Sequence, residues 1–298
     1  MAERSAPNVV TMLWVTVAWG ACFVAIRWGL RDAPILWFAA LRALVAGAAL
    51  VLLAGLQGRP TPRGARAWTM IAALAAVNVT VAFAAMFGGV SGLATGTAAV
   101  LANAQPLLIL LPAWWFYGEA MSVRTTVGLV IGFSGLLVVA VPGGGGDGAV
   151  LALIAAAAIT GGTLLSRQLA GLDVMSASGW HFLVGGAGLV VWAAIAEGAP
   201  DIAWTPRFVV ALAFLSLVGT AAAFVAWFTE AQRSRLDLLS AWTFLVPVVG
   251  MTLSIGVLGE RPTGWVAAGL LVVLVSMAVV LAPAPSRVPS GPGGEAVP

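Results

Sequence analysis

Residues 101–119 read LANAQPLLILLPAWWFYGE, and residues 242–260 read WTFLVPVVGMTLSIGVLGE. The two stretches lie 141 residues apart, and that shift puts Pro106 on Pro247 and Gly118-Glu119 on Gly259-Glu260. Carried outward without a gap, it also puts Phe83 on Phe224, Phe87 on Phe228, Gly128 on Gly269 and Pro142 on Pro283, and Gly20 meets Gly161. Apolar composition aligns Ala, Leu and Val by coincidence. It does not readily align prolines, a Gly-Glu pair and two phenylalanines at one offset. The chain is therefore read as an internal duplication, the feature that decides architecture.

The solvent that each copy meets follows from composition. Of 298 residues, 61% are apolar and 8% are charged, against about 25% charged in an ordinary soluble domain. So few charges cannot cover a water-facing surface, which makes hydrocarbon the natural solvent. Every basic residue is Arg, and the arginines are scattered between apolar runs. They form no basic stripe, so no nucleic acid partner is expected. One Cys and one His exclude a disulfide framework and argue against a zinc or iron–sulfur site; no metal and no cofactor are expected. The apolar run after Asn8 lacks a cleavage site and is longer than a signal-peptide core, so it is read as a first membrane helix.

A helix crosses the bilayer core with about 20 apolar residues. Segments 9–28, 35–55, 67–87, 95–117, 123–141, 149–167, 175–196, 207–228, 237–258 and 263–282 meet that length. Breakers and charge separate them, as at Arg31-Asp32-Ala33-Pro34, Gly118-Glu119 and Glu260-Arg261-Pro262; the turns at 87–95 and 229–237 are the shortest. With the N-terminus inside, nine arginines (Arg4, Arg59, Arg63, Arg66, Arg124, Arg167, Arg233, Arg235, Arg287) face the cytoplasm and four (Arg27, Arg31, Arg207, Arg261) face outward. The positive-inside rule then places both termini in the cytoplasm, in a multi-pass protein of the bacterial inner membrane.

The expected fold is an all-α integral membrane protein of ten transmembrane helices. Residues 1–142 form one five-helix repeat, 143–283 a second, and 284–298 a disordered cytoplasmic tail rich in Pro, Gly and Ser. An odd number of spans per copy forces the second to enter from the opposite side. Inverted repeats recur in secondary transporters, with the solute site near the midplane between the halves.

These residues carry a family resemblance. Trp19-Gly20 with Phe23 and Arg27, Pro34 followed by Arg42, Gln105-Pro106 closing with Gly118-Glu119, and Gly128, Gly132 and Gly135 stand in an order similar to that of the drug/metabolite transporter superfamily. The chain resembles its ten-helix EamA-type exporters, and among these the YddG-type exporters of amino acids, aromatic ones included. The second half keeps Pro247, Gly259-Glu260 and Gly269 but lacks the Trp-Gly and Gln-Pro pairs. The resemblance implies export of small organic solutes, foremost neutral or aromatic amino acids and related metabolites, by alternating access. Another drug or metabolite class, or a passive channel, are the alternatives. A membrane enzyme has no support: the run Gly143 to Gly146 follows a span and opens no nucleotide site. The partners expected are a small-molecule substrate and membrane lipid, and two covalent halves make a monomer the expected state.

Several residues are candidates for the solute site. Pro106 and Pro247 fall mid-span, where each removes a backbone hydrogen bond; they are read as hinges bordering a polar cavity or as fixed packing kinks. Polar groups deep in spans must pair or face water: Asn78 in the third helix, Asn103 and Gln105 beside Pro106, Thr160 and Thr163 in the sixth, and Trp242 and Thr243 in the ninth. Together with Trp19 they form the expected substrate-binding set; the two asparagines can donate and accept together, as a zwitterion requires. Other groups read as structure: Phe83 and Phe224 as packing, Gly128, Gly132 and Gly135 as a close-packing face, and Gly88, Gly92 and Gly96 as turn residues. Arg42, about 12 Å into its helix, is read as scaffold over carboxylate ligand. His181 is read as structural. The first helix carries no carboxylate, which argues against proton exchange at a central Glu.

Overall fold

The computed structural model describes residues 7–105, 107–109, 112, 115, 123–140, 146–169, 171–234, 239 and 242–281. Pro106, the Gly118-Glu119 turn, Pro142 and the tail 284–298 lie outside the described residues.

Among the described residues the chain is helical: α1 (Val9–Gly29), α2 (Ile35–Leu56), α3 (Ala65–Gly92), α4 (Thr95–Ala102), α5 (Val123–Ala140), α6 (Asp147–Ser166), α7 (Val174–Ala196), α8 (Pro206–Arg233), α9 (Leu245–Leu258) and α10 (Gly264–Leu281). Six of these, α1, α2, α3, α6, α7 and α8, are long and apolar enough to cross a membrane. Local chemistry sets their ends. Asn8 caps α1 by accepting from the Thr11 N–H at 3.0 Å, Asp173 caps α7 through Ser176, and Thr205 caps α8 through Phe208 ahead of Pro206 in the first turn. A short polar side chain satisfies a helical N–H that has no intrahelical acceptor. Gly198, at φ 76°, turns the chain out of α7, a conformation open to glycine without penalty.

The outward faces are apolar. Val10, Leu52, Leu56, Val191, Ile195 and Leu271 are all more than half exposed. In water such a surface would aggregate; in lipid it needs no cover, while backbone polar groups are satisfied within each helix.

The two halves interlock. α2 packs along α7 and α5 along α10; α3 packs on α6 much as α8 packs on α1, and α1 meets α9 as α6 meets α4. Exchanging the halves leaves this network of neighbours unchanged. Glycine permits the closest approaches. A Cβ at Gly135 would sit 2.9 Å from Val273 and 3.0 Å from the Gly269 carbonyl, and one at Gly269 would sit 2.8 Å from the Gly135 carbonyl. Ser276 adds a 2.6 Å bond to the Gly128 carbonyl across the same seam. Small residues let helix backbones touch where lipid offers no hydrophobic drive to associate.

Three local expectations change. α3 runs on to Gly92, so Gly88 and Gly92 are helical and Gly96 lies in the first turn of α4; Leu93 and Ala94 make the turn. The glycines serve close approach instead: a Cβ at Gly88 would meet Leu151, at Gly92 Gly148, and at Gly96 Met251 and Ser254. Pro247 is the third residue of α9, after a 3₁₀ turn at Trp242–Phe244, where the missing N–H breaks no α-helical bond of α9. Finally, α3 and α8 each carry a π-helical stretch, Ala76–Val81 and Phe214–Ala222. Shifted by 141, the first falls inside the second. Such wide turns release carbonyls from the helical ladder and concentrate at functional sites.

Candidate functional site

A partly open cavity lies between the halves. From the first half, α1 contributes Trp19, Cys22 and Phe23 at helical spacing, α2 contributes Arg42, α3 contributes Asn78, Phe83 and Met86, and the end of α4 contributes Ala102, Asn103 and Gln105. From the second half come Ile159 and Thr163 of α6 and Phe224 and Trp227 of α8. The polar groups come mostly from the first half. The aromatic wall is shared: Trp19 lies 5.5 Å from Phe224 and 5.0 Å from Trp227, ring centre to ring centre.

The π-helical turn of α8 organises one side. The Gly219 carbonyl accepts from Trp19 Nε1 at 3.1 Å and from Arg42 Nη2 at 3.4 Å. Thr220 Oγ1 donates to the Leu215 carbonyl, five residues back, and accepts from Arg42 Nε at 2.8 Å. Glycine is required there, because a Cβ at position 219 would overlap the Cys22 thiol. Phe83 covers the guanidinium, with Cζ 4.4 Å from the ring centre, a contact that offsets part of the cost of a buried cation.

Amides organise the rest of the polar lining. Gln105 Nε2 donates to Thr163 Oγ1 at 2.9 Å, joining the end of α4 to α6. Asn103 ends the helical stretch of α4, and its Nδ2 donates back to the Ala99 carbonyl at 2.8 Å. Asn78 lies in the π-helical turn of α3, and Gly162 clears room for its carboxamide.

Of the residues singled out from sequence, Trp19, Asn78, Asn103, Gln105 and Thr163 meet around this cavity. Thr160, Trp242 and Thr243 are not among its lining residues. Thr160 turns its hydroxyl to the Ala156 carbonyl, Trp242 packs half-buried against the core, and Thr243 is buried in the 3₁₀ turn before α9. His181 is buried against Phe182 and Phe228, apart from the lining. Cys22, Phe23, Arg42, Phe83, Met86, Ala102, Ile159, Phe224 and Trp227 also line the cavity and lie outside the expected substrate-binding set. A signal for some was present: the 141-residue shift pairs Phe83 with Phe224, Met86 with Trp227 and Cys22 with Thr163, and both members of each pair line the cavity.

Carboxylates of the second half clamp helix ends of the first. Glu260 accepts from the backbone N–H groups of Thr95 and Gly96 at 2.9 and 3.1 Å, and Glu197 from those of Leu36 and Trp37. An anion at a helix N-terminus meets both the unpaired donors and the helix dipole. Asp32 pairs in bidentate fashion with Arg207, at 2.7 and 3.0 Å, and Arg59 pairs with Asp173.

Helices long and apolar enough to cross a membrane, interlocked in two halves around a shared cavity, are those of a multi-pass membrane protein. A sequence profile described as the EamA-like transporter family matches twice, at residues 7–141 and 147–282. The chain belongs to this transporter family. It is 30% identical over 278 residues to a WAT1-related chloroplastic protein of Arabidopsis thaliana, covering 88% of this chain and 66% of that one. It is likewise 30% identical over 262 residues to a probable terminal-alkyne amino-acid exporter of Streptantibioticus cattleyicolor, covering 85% and 86%. A solved crystal structure shares the fold at a TM-score of 0.71 and 17% identity, over 91% of this chain and 95% of that one.

Proposed function

We propose that the protein exports small organic solutes, foremost neutral and aromatic amino acids and related metabolites, by alternating access. In this reading ten spans form two inverted five-helix repeats, 1–142 and 143–283, in the bacterial inner membrane. Both termini and the tail 284–298 are cytoplasmic, and the protein works as a monomer. The cavity shared by the halves is the solute site, with Trp19, Asn78, Asn103, Gln105 and Thr163 as its polar and aromatic contacts. Pro106 and Pro247 mark the hinges.

The observation that carries the reading is the mixed lining of the cavity, which combines aromatic rings with amide and guanidinium groups. A zwitterion with an apolar side chain presents the matching surfaces. Exchange of the halves preserves the packing network, which supports two related packings, one open to each side. The relative in Streptantibioticus cattleyicolor, named a probable terminal-alkyne amino-acid exporter, points to the same solute class. The test is counterflow in proteoliposomes: vesicles loaded with unlabelled amino acid should take up labelled amino acid with saturation. Absence of saturable exchange across the twenty amino acids would contradict the reading, and linear, non-saturating flux would indicate a channel.

A further inference from the structure

Arg42 is a buried cation that the protein only partly satisfies. It is 2% exposed and lines the cavity. Nε is bonded to Thr220 and Nη2 to the Gly219 carbonyl, but Nη1 has no hydrogen-bond partner among the described residues. None of the ion pairs among the described residues involves Arg42; beyond α8, its Nη2 lies 3.9 Å from the Cys22 thiol. Asn78, on the same cavity, repeats the pattern: it is 2% exposed, and its Nδ2 has no partner among the described residues.

Other polar groups of the cavity donate internally, as Trp19 does to Gly219, Asn103 to Ala99 and Gln105 to Thr163. The buried cavity atoms left without a partner are thus both donors, one of them charged. An orphaned donor in a buried site is costly, and an unpaired guanidinium in a membrane interior more so. We propose that Arg42 Nη1, assisted by Asn78 Nδ2, receives the carboxylate of the transported solute, so that the protein selects carboxylic acids over their neutral or cationic analogues. This rests on the transport reading above and adds the group on the solute that is recognised. Arg42 suits the task because its remaining nitrogens are already anchored on α8, which fixes the guanidinium plane before the solute arrives. Phe83 holds the other face.

The test uses matched acids and amides in proteoliposomes: phenylalanine against phenylalaninamide, and 3-phenylpropionate against 3-phenylpropionamide, as competitors of labelled phenylalanine exchange. The second pair removes the ammonium group, so charge at the amino end does not confound the comparison. Each acid should compete better than its amide by about tenfold or more. Arg42→Gln should erase the difference by weakening the acids alone, and Arg42→Lys should keep part of it. Equal competition by acids and amides in the native protein would overturn the proposal while leaving transport intact. If no labelled solute exchanges, the transport reading fails, and the quenching of tryptophan fluorescence by the same compounds decides the matter. Quenching by the acids that is lost in Arg42→Gln supports a carboxylate site, and its absence refutes one. Should Arg42→Gln not fold, the acid–amide comparison in the native protein stands alone as the decisive arm.

Discussion

Asn78 and Gly219 occupy the same place in the two halves, 141 residues apart, each inside a π-helical turn beside the cavity. One carries a carboxamide that lines the cavity, and the other a bare backbone whose carbonyl accepts from Trp19 and Arg42. The duplication has thus kept a backbone device and changed what it presents. The first copy supplies a side chain, the second a carbonyl.

The second half of that relationship depends on the absence of a side chain at position 219. Gly219→Ala should destabilise the protein by about 1–3 kcal/mol, as overpacking does, because the new methyl meets the Cys22 thiol. Thermal unfolding in detergent measures the loss. In a Cys22→Ala background much of it should return, since close sites couple; an equal loss in both backgrounds would show that the thiol is not the obstacle.

The bond between Gln105 and Thr163 joins the end of α4 to α6. Thr163→Val leaves the buried Gln105 amide without its acceptor and should cost about 1–3 kcal/mol. Combining it with Gln105→Leu should cost less than the sum of the two single changes, a coupling read from a double-mutant cycle of unfolding free energies.

Glu260 holds the start of α4 from the far half of the chain. Glu260→Ala should lower stability by about 1–2 kcal/mol, the scale of a lost helix cap. Hydrogen exchange should show faster amide exchange at Thr95 and Gly96 while α7 stays protected.

The pairing of Asp32 with Arg207 is sensitive to acid. The Arg207 guanidinium, hydrogen-bonded to Asp32, holds its carboxyl below the usual carboxylate range. A carboxyl depressed on folding contributes stability above its unfolded value of about 4 and loses it as pH falls through the lower folded value. The stability difference between the native protein and Asp32→Asn should therefore be constant from neutral pH to about pH 4. It should shrink on further acidification. A difference that instead grew below that point would contradict the pairing.

Much of the scaffold was readable because it obeys periodic rules. Apolar length gave the long helices, and breakers such as Arg31-Asp32-Ala33-Pro34 and Glu260-Arg261-Pro262 separated them. Identities at one offset gave the duplication. The cavity was readable only in part, because lining depends on which helix faces which. Trp19 and Thr160 are equivalent under the 141-residue shift, yet Trp19 lines the cavity and Thr160 turns its hydroxyl back to its own helix. The π-helical turns, Ala76–Val81 and Phe214–Ala222, left no sequence mark that sets them apart from the α-helix around them. The role of Arg42 was open for a related reason: a sequence shows a cation in a span, but only packing shows which of its donors are bonded.

In the proposed transport cycle, solute passes through the shared cavity, which opens in turn to each side. Cys22 is the protein's single cysteine, and it lines that cavity. The direct measurement is its reaction with a membrane-impermeant thiol reagent in right-side-out and in inside-out vesicles. The account requires slow labelling from both sides, slowed further by saturating phenylalanine. Labelling from one side alone, or from neither, with phenylalanine having no effect, would contradict it.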